Sequence, residues 1–274
     1  TWGDSIYGGG SSSVADQLEG GVNQIFSTYY AFAALKDDGS VVTWGSSGYG
    51  ANSSSVADQL ESGVYKVFST IAAFAALKED GSVVTWGSSG SGGNSSSVAD
   101  QLDSGVTQIF SAFSAFAALK DDGSVVTWGD SGWGGDSSSV VDQLEAGVNQ
   151  IFSTQSAFAV LKEDGSVVTW GGTGGDSSSV ESQLQGGVNQ IFSADNAFSA
   201  LKDDGSVVTW GSSGNGGNSS SVADQLESGV IQIFSTDNAF AALKEDGSVV
   251  TWGSSTKGGD SSSVADQLQG GVKQ

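Results

Sequence analysis

The 274-residue chain has no cysteine, histidine, methionine, proline or arginine. Without cysteine there is no disulfide framework, and so no redox argument for a compartment. Without histidine or cysteine, the groups that most often supply nucleophiles and general bases near neutral pH are missing. Positive charge is scarce: nine lysines face 31 acidic residues, for a net charge of -22. Such a chain repels nucleic-acid phosphates and anionic lipid headgroups over a Debye length of about 10 Å, so neither nucleic acid nor a membrane surface is an expected partner unless cations mediate. No apolar run approaches the roughly 20 residues of a membrane span, and no basic-then-apolar start resembles a signal peptide. The start at Thr1-Trp2-Gly3, part-way through a repeat and without Met, reads as a processed product or a segment of a longer polypeptide.

What the chain does contain is one stretch written six times. Ala31 to Gly45, AFAALKDDGSVVTWG, returns almost letter for letter at Ala73, Ala115, Ala157, Ala197 and Ala239. Phe32 to Lys36 is an apolar run, Asp37-Asp38-Gly39-Ser40 supplies turn residues with a glycine able to take φ > 0, and Val41 to Trp44 is β-branched and aromatic. This is a β-hairpin pattern. Trp2, Trp44, Trp86, Trp128, Trp170, Trp210 and Trp252 mark a period of 42 residues, except for one spacing of 40 that ends at Trp210. The two missing residues fall in Gly172-Thr173-Gly174-Gly175, which identifies an exposed loop, since a shortened strand would slip its pairing register.

The repeat predicts a single repeat domain over 1–274: a half repeat 1–24, then full repeats 25–66, 67–108, 109–150, 151–190, 191–232 and 233–274, with the end segments 1–24 and 251–274 equivalent. Each unit runs from a first strand such as Val64 to Ser69, through the hairpin Phe74 to Trp86, to a Gly/Ser loop, Ser88 to Asn94. The piece Ser95 to Leu102 that follows reads as one helical turn or an irregular outer strand; Ser97 with Asp100 suggests a capping box and Gly105 a C-terminal stop. Strands apolar on both sides belong in sheets covered on both faces. Small sheets stacked around an axis, as in a β-propeller of about seven blades (six full copies plus a half), satisfy this; so does an open superhelical repeat array.

The unit A-L-K-D-D-G-S-V-V-T-W-G, Ala34 to Gly45, resembles the repeat of the regulator of chromosome condensation family, whose members form seven-bladed propellers. The likeness extends over nearly the whole chain and matches the Leu, Asp-Gly, Val and Trp-Gly positions. WD-repeat propellers fit less well, because Gly follows the Trp and no Gly-His pair exists. Two departures stand out: Ala31-Phe32 occupies the place where the family has His before the Ala-Leu pair, and Gly48-Tyr49-Gly50-Ala51 replaces its Gly-Gln-Leu-Gly element. No nucleotide-exchange role is carried over. The style is closest to secreted bacterial members of the class, which implies binding through variable loops.

Chemistry finds little support in the residues. A carboxylate pair for glycoside hydrolysis needs only two acids in a cleft, but the acids repeat in every unit and none is singled out. Asp37-Asp38 in a tight turn is not a calcium loop, and Asp136, Asp176 and Asp260 read as turn residues, so no metal or cofactor is expected. Six of the nine lysines, Lys36 through Lys244, read as solvated strand-end charges, and the Trp-Gly tryptophans as packing.

The copies differ in two places. The turn between first and second strands holds Tyr29-Tyr30, Ile71-Ala72, Phe113-Ser114, Gln155-Ser156, Asp195-Asn196 and Asp237-Asn238. The loop after Trp-Gly holds Ile6-Tyr7, Tyr49, Ser91, Trp133, Asn215 and Thr256-Lys257. In an up-and-down blade both lie at one end, opposite the Asp-Gly turns. Tyr7, Tyr29, Tyr30, Tyr49, Ile71, Phe113, Trp133, Asp195, Asn196, Asp237 and Asn238 are therefore the expected binding residues, aromatics being common hot spots. The sequence thus predicts a non-enzymatic module at the cell surface or outside the cell, binding a protein or glycan. The alternative is a structural protein that assembles head to tail through its chain ends.

Overall fold

A computed structural model describes residues 3–272. Every hairpin expected from the repeat is present, and each pairs with the strand before it. The result is six antiparallel three-stranded sheets, each ordered first-second-third strand. In sheet 1 the strands are Val22–Ser27, Ala31–Lys36 and Val41–Gly45. Sheets 2 to 6 repeat this over 64–87, 106–129, 148–171, 188–211 and 230–253. The chain divides into two compact units, Thr1–Ser138 with sheets 1 to 3 and Ser139–Gln274 with sheets 4 to 6.

Packing follows from the period of two along each central strand. In sheet 2, Phe74 and Ala76 face one way, here called the front, with Val84 and Trp86 of the third strand. Ala73, Ala75 and Leu77 face the rear. The first strand reaches the same front through a bulge: pairing shifts between Val64 and Lys66, so Val64 and Val67, three residues apart, both lie in the front cluster. Without that extra residue they would point to opposite faces. All six first strands carry this bulge.

Within each unit a rear face mates with the next front face, small against large. Ala31, Ala33 and Leu35 of sheet 1 pack on Val64, Val67, Phe74 and Trp86 of sheet 2. The same arrangement joins sheets 2 and 3, 4 and 5, and 5 and 6. Trp2 lies outside the described residues, and Trp44, Trp86, Trp128, Trp170, Trp210 and Trp252 are buried core residues, as their place in the strands predicts. Each stacks on the phenylalanine paired with it, at 5.2 to 5.5 Å between ring centroids.

Two glycines show why the sheets can come so close. Gly81, in the Asp-Gly turn of sheet 2, has φ +78, and a Cβ there would sit 2.7 Å from the backbone nitrogen of Gly105. Its carbonyl accepts from Val106 N–H, so the hairpin tip is docked on the next sheet rather than free. Gly50 has φ +99 and lies on the Phe74 ring, and its carbonyl accepts from the Trp86 indole at 2.9 Å.

The segment after the Gly/Ser loop is helical, mostly in 3₁₀ form, with a four-residue α turn at Ala99–Leu102. The capping box does not form, because no side chain caps this turn. Its entry is held instead one step earlier: Asn94 Oδ1 accepts from Ser96 N–H, and Asp136, Asp176 and Asp260 do the same in their repeats. The strand-end lysines are not simply solvated. Lys78, Lys120, Lys162, Lys202 and Lys244 each donate to a glutamine carbonyl 19 residues earlier, at 2.7 to 3.0 Å. They thereby tie the hairpin to the C-terminal end of the helical segment, where orphan carbonyls need donors.

The six hairpin-turn carboxylates, Asp38 through Asp246, accept from both the hydroxyl and the N–H of the serine two residues on. The serine hydroxyl, then its amide, holds each carboxyl below its ordinary value. A lowered folded pKa stabilises above the unfolded value and loses that contribution as pH falls through the folded one. Replacing Ser124 by Ala should raise the Asp122 titration, seen by carboxyl ¹³C NMR. The stability gap between wild type and Ser124→Ala should be largest near neutral pH and close in acid.

The repeat also exposes its own defects. Ser199 stands where the other central strands have alanine; it is fully buried, and its hydroxyl has no hydrogen-bond partner. Glycines 8, 50, 92 and 216 press on a phenylalanine ring, whereas Gly174 of the shortened loop lies beside the Asn196 backbone. The buried indole N–H groups of Trp44 and Trp210 are also without a partner. Ser199→Ala should therefore stabilise the chain by about 1 kcal/mol, the scale of a buried unsatisfied hydroxyl, measured as a rise in the urea midpoint at unchanged slope.

Candidate functional site

The variable positions meet at one end of the sheets because the turn and the loop are hydrogen-bonded to each other. In sheet 1 the Thr28 hydroxyl accepts from Ala31 N–H and donates to the Tyr49 carbonyl at 2.8 Å, while Ser46 N–H donates to the Tyr30 carbonyl. Thr70 repeats this with Ala73 and Ser91. Adjacent turns are also joined through the backbone: Tyr29 N–H donates to the Ile71 carbonyl and Ile71 N–H to the Phe113 carbonyl, both at 3.0 Å. Three turns thus form a fixed ladder whose side chains are free to vary.

On that ladder the unit over residues 1–138 carries a connected set of rings. Tyr30 lies 4.9 Å from Tyr7, 4.5 Å from Tyr49 and 6.3 Å from Tyr29, centroid to centroid. Tyr29 meets Phe113 edge-on at 6.0 Å, and Phe113 stacks on Trp133 at 4.5 Å. Six aromatics from separate turns and loops therefore make one surface. Tyr29 and Tyr7 stand out from it, 60% and 56% exposed. Tyr30, Tyr49, Phe113 and Trp133 are half-buried rather than exposed, each lying against a neighbouring ring, and Ile71 is half-buried as well. The Trp133 loop is pinned by Asp130, whose carboxylate accepts from Gly132 N–H.

In the unit over residues 139–274 the same ladder is polar. Gln155 N–H donates to the Asp195 carbonyl, and Asp195 N–H to the Asp237 carbonyl. Asn238 donates to the Asp195 carboxylate at 3.4 Å, and Ser156 to Asn196 Oδ1 at 2.8 Å. The expected binding residues thus fall into an aromatic set and a polar set on equivalent backbones. The side chain of Ile6 lies outside the described residues. Among the described residues no three acidic groups come together as a metal site, and no helix is long and apolar enough to cross a membrane.

Grooves lie elsewhere, along the third strands. One of about 680 Å³ is lined by Val14, Gln17, Val41, Thr43, Ala51 and Leu60. Another, of about 510 Å³ in the second unit, has Val222, Gln225, Thr251 and Leu268 in its walls. Both are open and none of the aromatic turn residues lines them.

Two apolar surfaces were not legible as sites. In sheet 1 the front residues Val22 and Ile25 are 37% and 59% exposed, although their equivalents in the other five sheets are buried. At the rear of sheet 6, Phe234 is 47% exposed, whereas the equivalent phenylalanines at the mated rear faces are half-buried. No local signal could have marked them, because the same letters are core elsewhere.

No protein-family model matches the chain, and no curated protein sequence matches it. Among solved structures it is similar to yeast RCC1 (Prp20), crystallised with Kap60, at 16% identity, covering 86% of this chain and 70% of that one with a TM-score of 0.46. It is also similar to the ectodomain of the Physcomitrella patens receptor kinase CR4, at 15% identity, 85% and 61% coverage and a TM-score of 0.45. Human WBSCR16 follows at 19% identity, 82% and 72% coverage and a TM-score of 0.44.

The aromatic surface yields a direct test of its own cohesion. A double-mutant cycle of Phe113→Ala and Trp133→Ala should return a coupling of about 0.5 to 1.5 kcal/mol in urea unfolding, the range for stacked pairs beyond area burial. In its repeat sequence the chain resembles the RCC1-type repeat, and the solved structures it is similar to include yeast RCC1.

Proposed function

We propose that the chain is a non-enzymatic binding module, acting at the cell surface or outside the cell, that takes a protein partner on the aromatic turns of residues 1–138. The observation that carries this reading is the connected ring surface from Tyr7 to Trp133 on a hydrogen-bonded backbone ladder. Rings already held against one another lose little conformational freedom on binding, which favours affinity. Tyrosine and tryptophan are the residue types that dominate interface energies. The net charge of -22 selects a basic partner and makes association fall as salt rises.

Glycan stacking on the same rings is the competing ligand class. A screen of the immobilised chain against basic proteins and a glycan array separates the two. Tyr29→Ala and Trp133→Ala should each weaken capture of the selected protein by about 30-fold, corresponding to a hot-spot cost of about 2 kcal/mol. Asp237→Ala, on the polar ladder, should leave it nearly unchanged. Capture of glycans alone, insensitive to salt, would replace the protein reading.

A second reading, assembly of the chain with itself, is favoured by the exposure of Ile25 and Phe234.

A further inference from the structure

Deepening and resting on that second reading, we infer that the front of sheet 1 in one molecule seats on the rear of sheet 6 in a second copy, head to tail. Both surfaces are halves of an interface the chain already makes. The rear set of sheet 5, Phe192, Ala197, Leu201 and Val207, packs on the front set of sheet 6, Val230, Ile233, Phe240 and Trp252. Sheet 6 carries the same rear set again in Phe234, Ala239, Leu243 and Val249, and sheet 1 carries the front set in Val22, Ile25, Phe32 and Trp44.

Burial is incomplete in part of each set, at Val22, Ile25 and Phe32 on the front and at Phe234 on the rear, while Trp44, Ala239 and Leu243 are buried. Val22 and Ile25 are exposed and Phe32 is half-buried, although Phe74, Phe116, Phe158, Phe198 and Phe240 are fully buried. Ala241 is half-buried where its equivalents Ala33, Ala75, Ala117 and Ala159 are inaccessible. A face that accepts the rear of a repeat four times within the chain is shaped for that rear and for little else. The two faces differ, so the contact is heterologous and propagates rather than closing as a twofold dimer.

Residues 11–22, SSSVADQLEGGV, and 261–272, SSSVADQLQGGV, are two copies of the segment that sits once at each internal junction. Leu18 and Leu268 in them are half-buried, whereas Leu60, Leu102, Leu184 and Leu226 are buried. In the paired state one copy takes the place and the other is displaced, an exchange of near-identical parts at low cost.

Sedimentation velocity over a wide concentration range tests this on the full chain. The wild type should grow into a ladder of oligomers, and Ile25→Asp and Phe234→Asp should each remain monomeric. An equimolar mixture of the two variants should form dimers and nothing larger, since only one live front and one live rear remain. A wild type that stays monomeric throughout overturns the inference, as does a mixture with no dimers. Because the chain has no cysteine, Ile25→Cys gives a single thiol; its protection in the monomer would show the face covered by its own chain and would also overturn the pairing. Tyr29→Ala and Trp133→Ala should assemble like the wild type, so loss of assembly and loss of partner capture read out separately.

Discussion

Everything in the molecule depends on the mating of a small rear face with a large front face. A three-stranded sheet apolar on both sides cannot stand alone in water, and each front side chain of this size is worth about 1.5 to 3 kcal/mol when fully buried. Alanines at the rear let the next sheet approach until a Cβ on the turn glycine would meet backbone. The phenylalanine-tryptophan stack at each front fills the space the alanines leave. The bulge in each first strand, the Asp-Gly turn docked on its neighbour and the lysine bound to a glutamine carbonyl all serve that one contact.

Because the contact is made mainly by strands, the turns at one end, between first and second strands, are held chiefly by backbone hydrogen bonds, with only Ala72, Ser114 and Ser156 among their variable residues buried. That frees their side chains, and the two units have spent the freedom differently: one on rings that touch each other, the other on amides and carboxylates. A recognition surface of this kind is rigid in its frame and variable in its chemistry. The same logic makes an unmated sheet face a reactive surface, since it differs from the core only in having no sheet against it.

Much of the fold was legible in the chain. The first strand Val64 to Ser69, the hairpin, the positive φ at Gly39 and Gly105, and the loop nature of 172–175 all follow from period, turn chemistry and the two-residue deletion. The clustering of variable positions at one end followed from strand reversal alone. The bulge did not, because no residue type marks it. The capping box does not form, and the entry of the helical turn is held instead by Asn94 and its counterparts, which accept from the N–H two residues on. The lysines looked solvated because their acceptors are backbone carbonyls 19 residues away, which sequence spacing does not display.

By itself, then, the sequence determined the repeat, the hairpin and the division between invariant strands and variable turns, because these rest on local propensity and a period of two. Only the tertiary structure decided which apolar residues are core. Ile25 and Ile109 sit in nearly the same local sequence, yet one is 59% exposed and the other is buried. Burial in this molecule is conferred by the neighbouring sheet, and no residue encodes whether that neighbour is there.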